Sequence, residues 1–215
     1  MSSNAKGKRA IKSQDRLGRY YTPDAHADLV ADEAFRGLDP DFMTVLDPSA
    51  GSGQLLAACL RIEPVMAVYG IDVDPVAPIF DYPVIVSHKG DFLDMEPGVE
   101  VPVADVVVMN PPYSIVEDDD VSREVATMHV REAIKWAKTR VVALMSVAFL
   151  GGLGRFQSFW KEDKTLRRIV FIPDRPSYTG GGTASSDYVI LVFEPGERTG
   201  PIEFCWREAR NADAV

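Results

Sequence analysis

Asn110-Pro111-Pro112-Tyr113 puts an amide, two conformationally stiff residues and an aromatic ring in four consecutive positions. The run Ala104-Asp105-Val106-Val107-Val108-Met109 before it reads as a buried strand, so the tetrapeptide falls at a strand's carboxyl end. In an open α/β sheet that edge is where ligands bind. The prolines fix φ and offer carbonyls from residues that have no N–H of their own. An amide oxygen, a bare carbonyl and a stacking ring together suit a planar group bearing NH2, such as adenine, cytosine or a glutamine amide. Taken alone, the same four residues are equally a rigid turn after a strand.

Three further loops carry chemistry of a compatible kind. In Asp47-Pro48-Ser49-Ala50-Gly51-Ser52-Gly53 the glycines permit a tight turn and a close approach of ligand to backbone. The stretch from Gly51 lacks the third glycine of a dinucleotide fingerprint, so a cofactor without a pyrophosphate fits better. Asp72 ends an apolar run and is placed to accept hydrogen bonds from ribose hydroxyls. Asp91 is placed to accept from an adenine amino group, with Phe92 beside the ring. Considered singly, Asp47 and Asp72 are also plausible helix caps and Gly51 a plain turn glycine.

These loops need strands and helices to hold them. Thr22-Pro23-Asp24 reads as a helix start, with Thr22 as N-cap and Pro23 at the first helical position, and the helix runs through Phe35. Strands are expected at Thr44–Leu46, Ala67–Ile71, Val84–Val86, Asp105–Met109 and Val141–Met145. Helical spacing marks Gln54–Leu60, Val121–Lys138 and Phe156–Trp160, with Ser114–Ser122 as a long acidic loop. Arg168–Ile172 and Tyr188–Phe193 read as an antiparallel pair, and Ile202–Trp206 as a last edge strand. Alternating strands and helices followed by a late hairpin indicate a mostly parallel α/β sheet whose loops converge on one edge.

Composition narrows the class. The 215 residues, 46% hydrophobic, fit one globular domain, 18–215, behind a basic tail, 1–17, expected to be disordered. Cys59 and Cys205 lie far apart with no C-x-x-C spacing, so neither a disulfide framework nor a metal site is signalled. The basic N-terminus has no apolar stretch behind it, and Val141–Leu153 is too short to span a bilayer, so a cytoplasmic location is expected. The formal charge is −9, and the first nineteen residues hold six of the 23 basic residues and one of the 32 acidic ones, leaving a body at −14. Nucleic acid would therefore be met by a local basic stripe, by the tail or with help from another subunit.

In this order and at these strand ends, the motifs resemble the S-adenosylmethionine-dependent amino-methyltransferases, most closely the N6-adenine DNA methyltransferase family, over Gly18 to about Phe193. Gly18-Arg19-Tyr20-Tyr21-Thr22-Pro23 resembles the motif that contacts the methionine portion, with Tyr21, Thr22 and Pro23 as its cofactor residues. Asp47, Ser49, Ala50, Gly51 and Gly53 resemble the glycine-rich cofactor loop, Asp72 the ribose acceptor, Asp91 and Phe92 the adenine loop, and Asn110–Tyr113 the catalytic motif. The resemblance implies a Rossmann-like class I fold with a seven-stranded sheet, helices on both faces and a C-terminal antiparallel hairpin. It also implies base flipping, because an exocyclic amine inside a duplex is out of reach of a methyl donor. The cofactor implied is S-adenosylmethionine. Asn110 and Pro111 would orient the amine, and Tyr113 would stack on the base with Tyr178 as a second ring.

Two features depart from the family's pattern. Only the 22 residues from Glu194 to Val215 follow the last core strand, so no separate target-recognition domain is expected. Glu117-Asp118-Asp119-Asp120 would repel phosphates beside the substrate pocket. The expected partner is DNA, single-stranded or presented with a recognition subunit. RNA adenine, a protein glutamine amide and a non-catalytic cofactor-binding subunit are the alternatives. His129, with no visible partner, is expected at the surface or in the core.

Overall fold

Successive side chains of a central strand point to opposite faces, and this chain fills both with apolar residues. The structure, a computed structural model, describes residues 22–39, 43–62, 65, 67–113, 115–117, 120–122, 124–174 and 187–209. Helix α1 (Asp24–Phe35) is followed by β1 (Thr44–Asp47), α2 (Gln54–Leu60), β2 (Ala67–Asp72), β3 (Val86–Lys89) and β4 (Ala104–Met109). Then come β5 (Ile115–Glu117), β6 (Asp120–Ser122), α3 (Val125–Trp136) and β7 (Ala137–Ser146). A helical turn at Leu153–Arg155 continues into a π turn at Phe156–Trp160, and β8 (Leu166–Ile172), β9 (Tyr188–Phe193) and β10 (Glu203–Trp206) complete the order.

The main sheet has eight strands in the order β10-β8-β9-β7-β4-β1-β2-β3. Every neighbouring pair is parallel except those made by β9, which runs antiparallel to both β7 and β8. Seven of these strands answer to the expected sheet, and the eighth is the expected edge strand near the C-terminus. The core follows the alternation. Val106, Val108, Val142, Leu144, Ile190 and Val192 pack with α1 and α2 on one face. Val107, Met109, Val141, Ala143, Met145, Val189 and Leu191 pack with α3 on the other.

Hydrogen bonds and ion pairs fix the C-terminal end of α1. Arg140 of β7 donates from Nη1 to the carbonyls of Glu33, Ala34 and Arg36 at 3.2, 3.3 and 2.8 Å, closing the helix's C-terminus, and pairs with Glu194 at 2.7 Å. Glu33, buried on the helix, pairs with Arg168 of β8 and with Arg207 just past β10, each at 3.0 Å. Buried charges are tolerated when each is paired. Together they hold the helix across the sheet, with its N-terminal end at the edge where the strands' carboxyl ends emerge.

Several local expectations are corrected. Thr22 does not cap α1: Pro23 is the N-cap residue, with extended ψ, and the hydroxyl of Thr22 is engaged elsewhere. The third strand is Val86–Lys89 rather than Val84–Val86, because Ile85 turns inward beneath the glycine loop and Val84 lies exposed before the edge strand begins. In the acidic stretch after Asn110–Tyr113, expected as a loop, β5 and β6 pair antiparallel, Val116 opposite Val121. α3 starts at Val125 and gives way to β7 at Ala137 without a connecting loop. The segment at Phe156–Trp160 is π-helical, and β7 extends the fifth strand at both ends. Both cysteines are free. Among the described residues no helix is long and apolar enough to cross a membrane.

Candidate active site

From β1 the chain moves outward to β2 and β3, then returns to place β4 on the other side of β1. Loops leaving β1 and β4 therefore diverge around a crevice, the position where open α/β sheets bind ligands. Registers Val45↔Val106 and Leu46↔Val107 set Asp47 and Asn110 at its two sides.

The loop after β1 is held rigidly. Gly51 and Gly53 have φ of 54° and 80°, the left-handed region that side-chained residues avoid. At Gly53 a Cβ would also come within 2.7 Å of Ile79 Cδ1. Ala50 N–H donates to the Ile71 carbonyl at 2.9 Å, and Ile79 N–H to the Gly51 carbonyl at 3.0 Å, tying the loop to β2 and to the turn beyond it. Asp47 lies beneath the loop, 1% exposed, and accepts from Ser49 N–H at 3.0 Å. Burial pushes its carboxyl up to about 8; the Ser49 bond opposes the shift and the nearby Asp72 charge reinforces it.

Asp72 ends β2 with both carboxylate oxygens engaged by backbone: Oδ2 accepts from Gly51 N–H at 2.7 Å and Oδ1 from Asp74 N–H at 2.8 Å. Each oxygen has a second lone pair, so the carboxylate is fixed in orientation while keeping capacity for another donor. Asp91 is exposed at the next strand end and accepts from Leu93 N–H at 2.9 Å, capping a short turn. Phe92 departs from its expected place. Its ring is buried against Trp136 and His129, with centroids 5.3 and 5.8 Å away, so it supports the loop from below and no face is left for a ligand ring. His129 is a core residue: it bonds the Val125 carbonyl, and burial lowers its pKa.

At β4's end, Asn110 Nδ2 donates to Thr22 Oγ1 at 3.1 Å. In this arrangement the amide nitrogen faces Thr22. Pro111 is buried, while Pro112 and Tyr113 are half-buried. The Tyr113 hydroxyl accepts from the backbone N–H of Ser146, the last residue of β7, which fixes the ring across the neighbouring strand end. Burial raises the phenol well above its usual range, so it stays neutral. Ser146 was not singled out by the sequence, where it looks like any residue after an apolar run; the strand pairing alone brings it under Tyr113.

One cavity gathers Thr22, Asp47, Ser49, Ala50, Gly51 and Asn110. These come from the start of α1, the loop after β1 and the end of β4, and Ser52, Gln54 and Leu55, which the sequence did not single out, complete the lining. Ser49 Oγ is buried there with no hydrogen-bond partner among the described residues. An orphaned hydroxyl beside backbone with left-handed glycines suits contact with one polar end of a ligand such as S-adenosylmethionine. Pro23 and Gly53 serve the framework, Asp72 braces Gly51 from behind, and Asp91 stands at the far side of β2. Tyr21 and Tyr178 lie outside the described residues.

Comparison with known proteins rests on structure. The sequence matches no protein-family model and no curated protein. The fold superimposes on a Listeria monocytogenes protein described as a class I S-adenosylmethionine-dependent methyltransferase, with TM-score 0.66 and 17% identity over 87% of this chain and 65% of that one. It also matches the methyltransferase subunit of a type I restriction-modification system from Streptococcus thermophilus, with TM-score 0.67 and 20% identity over 86% of this chain and 47% of that one. A Pyrococcus horikoshii protein described as an RNA methyltransferase aligns with TM-score 0.64 and 18% identity, over 84% of this chain and 89% of that one. The chain thus spans under two thirds of the first two proteins. Its eight-stranded, mostly parallel sheet with one antiparallel strand near the C-terminus is the Rossmann-like fold of the class I S-adenosylmethionine-dependent methyltransferases.

Proposed function

We propose that this chain is an S-adenosylmethionine-dependent methyltransferase that acts on the exocyclic N6 amine of a flipped-out adenine in DNA. The observation that carries the reading is the meeting of Asn110 with the glycine loop and Thr22 around one cavity. Thr22, Asp47, Ser49, Ala50 and Gly51 would hold the cofactor, with Asp72 and Asp91 taking its ribose and adenine ends. When bound, S-adenosylmethionine supplies an electrophilic methyl group.

Everything else falls to this chain's residues. Thr22 engages the NH2 end of the Asn110 amide, and Oδ1 is the end that would accept from the target amine. The Pro111 carbonyl would accept the amine's second N–H. Two acceptors aimed at one NH2 draw its nitrogen out of the ring plane and direct its lone pair, a positioning effect. Tyr113, neutral and anchored to Ser146, offers a fixed ring for the base, and such stacking is worth about 1–3 kcal/mol.

The test is incubation with methyl-labelled S-adenosylmethionine and, in parallel, unmethylated duplex DNA, single-stranded DNA, RNA and a glutamine-containing release-factor peptide. Label entering DNA as N6-methyladenine is the expected result. Label entering only the peptide would overturn the reading in favour of a protein-glutamine methyltransferase, a substrate class that the charge of −9 accommodates.

A further inference from the structure

β10 forms one edge of the main sheet: it bonds to β8 alone, and among the described residues no strand lies beyond it. Arg207 N–H donates to the Phe171 carbonyl at 3.0 Å, so the backbone of Arg207, and by alternation that of Cys205 and Glu203, faces β8. The N–H and C=O groups of Phe204 and Trp206 therefore point away from the sheet. A strand edge of this kind is a template for pairing with another chain.

The side chains do not blunt this edge. Phe204 is 65% exposed and Trp206 71% exposed, two positions apart and so on one face, with Trp206 fixed by stacking on Phe171 at 4.8 Å. Exposed edges are ordinarily protected by lysine, proline or a bulge, none of which occurs in Glu203–Trp206. On the opposite face Cys205 packs toward α1, Glu203 pairs with Arg168 at 2.7 Å, and Arg207 pairs with Asp32 and Glu33. Both charged side chains keep part of their surface in water.

We propose that β10 is the self-association surface of this chain, pairing antiparallel with β10 of a second copy about a two-fold axis at Cys205. The run Glu203-Phe204-Cys205-Trp206-Arg207 is self-complementary when read against itself in that direction. Phe204 falls opposite the partner's Trp206, where the outward backbone groups of the two residues exchange both bonds and the rings meet on one face. On the other face Glu203 falls opposite the partner's Arg207, an opposite charge added to the partners each already holds, and Cys205 falls opposite the partner's Cys205. Sliding the copies by two residues keeps outward groups facing, but it sets Cys205 against a charged residue and loses the pairing of Glu203 with Arg207. Using one surface on both copies closes the assembly at two, whereas pairing with β3 at the far edge is head-to-tail and continues into open chains. β10 runs parallel to β4, so antiparallel pairing turns the two carboxyl edges to opposite sides and leaves both sites open.

The experiment measures mass in solution by sedimentation equilibrium, and cross-linking by diamide, for the native protein, Phe204→Lys and Cys205→Ser. Native protein at about 100 μM is expected to sediment at twice the chain mass, a concentration that populates contacts of small area. Phe204→Lys sets a charge against the partner's Trp206 and is expected to weaken association at least about tenfold, with the native melting temperature retained in dilute solution. Diamide, which takes up the two thiol hydrogens as a disulfide forms, is expected to join native copies through Cys205, because Cys59 is buried. Cys205→Ser should dimerise without cross-linking. Native protein at single-chain mass, a dimer that Phe204→Lys does not weaken, a dimer that diamide leaves unjoined, or species growing past two copies would each overturn the proposal.

Discussion

The buried carboxyl of Asp47 gives a sharp prediction about pH. An aspartate in an unfolded chain titrates near 3.9, whereas burial under the glycine loop pushes Asp47 up to about 8. Between those values the folded protein binds one more proton than the unfolded chain, so this group's stabilising contribution is complete at low pH and is lost as pH rises toward 8. At about 1.4 kcal/mol per unit, and allowing for half-titration at the upper limit, the loss between pH 6 and pH 8 is about 2 kcal/mol. Asp47→Asn keeps an oxygen for the Ser49 N–H and cannot ionise, so it removes the loss. For a chain of this size about 2 kcal/mol corresponds to roughly 4–8 °C in melting temperature. Melting both proteins from pH 5 to 9 without cofactor should show the variant gaining that margin over the native protein between pH 6 and 8. His26 and His129, both lowered by burial, lose stability as pH falls below their ordinary value near 6.5, and this slope is common to both proteins and cancels in the difference. Parallel melting curves across that window would refute the assignment of a protonated, buried Asp47.

Other perturbations probe the frame and the site. Gly53→Ala places a Cβ against Ile79 at a left-handed φ, and should cost about 1–3 kcal/mol in denaturant unfolding; an unchanged midpoint would contradict the geometry. Glu33→Ala removes one of two carboxylates from each of Arg168 and Arg207, which keep Glu203 and Asp32, and should destabilise by about 1–3 kcal/mol, read by thermal melting. Asp72→Ala releases Gly51 N–H and removes the proposed ribose acceptor, so calorimetry should show cofactor affinity falling at least about tenfold, and unchanged affinity refutes the role. Tyr113→Phe keeps the ring but drops the acceptor for Ser146 N–H, costing about 1–3 kcal/mol of stability, with transfer surviving at a reduced rate.

Much of the site was legible in the sequence because its signals are local. Turn glycines, an amide before two prolines and carboxylates ending apolar runs mark strand ends, and the strands' apolar character fixes those ends to one edge of a parallel sheet. What stayed hidden depends on distant contacts. Phe92 beside Asp91 reads as a ligand ring until α3 brings Trp136 and His129 against it. Thr22 has the chemistry of a helix cap, yet its hydroxyl meets Asn110, 88 positions along the chain. The Ser114–Ser122 stretch was read through its acidic residues, which favour loops, whereas β5 and β6 pair there, Val116 opposite Val121. The edge strand β3 was misplaced by two residues because an edge strand need not be apolar: its outward residues face water.

The amide of Asn110 is the centre of the account, and single-turnover methyl transfer to duplex DNA by Asn110→Ala tests it most directly, with cofactor affinity measured in parallel. The predicted result is a fall in rate of at least about a hundredfold, the scale of losing one oriented hydrogen-bonding group at the reacting atom, with cofactor affinity within a few-fold of the native protein. Transfer that survived within a few-fold would contradict an amine-orienting role for Asn110.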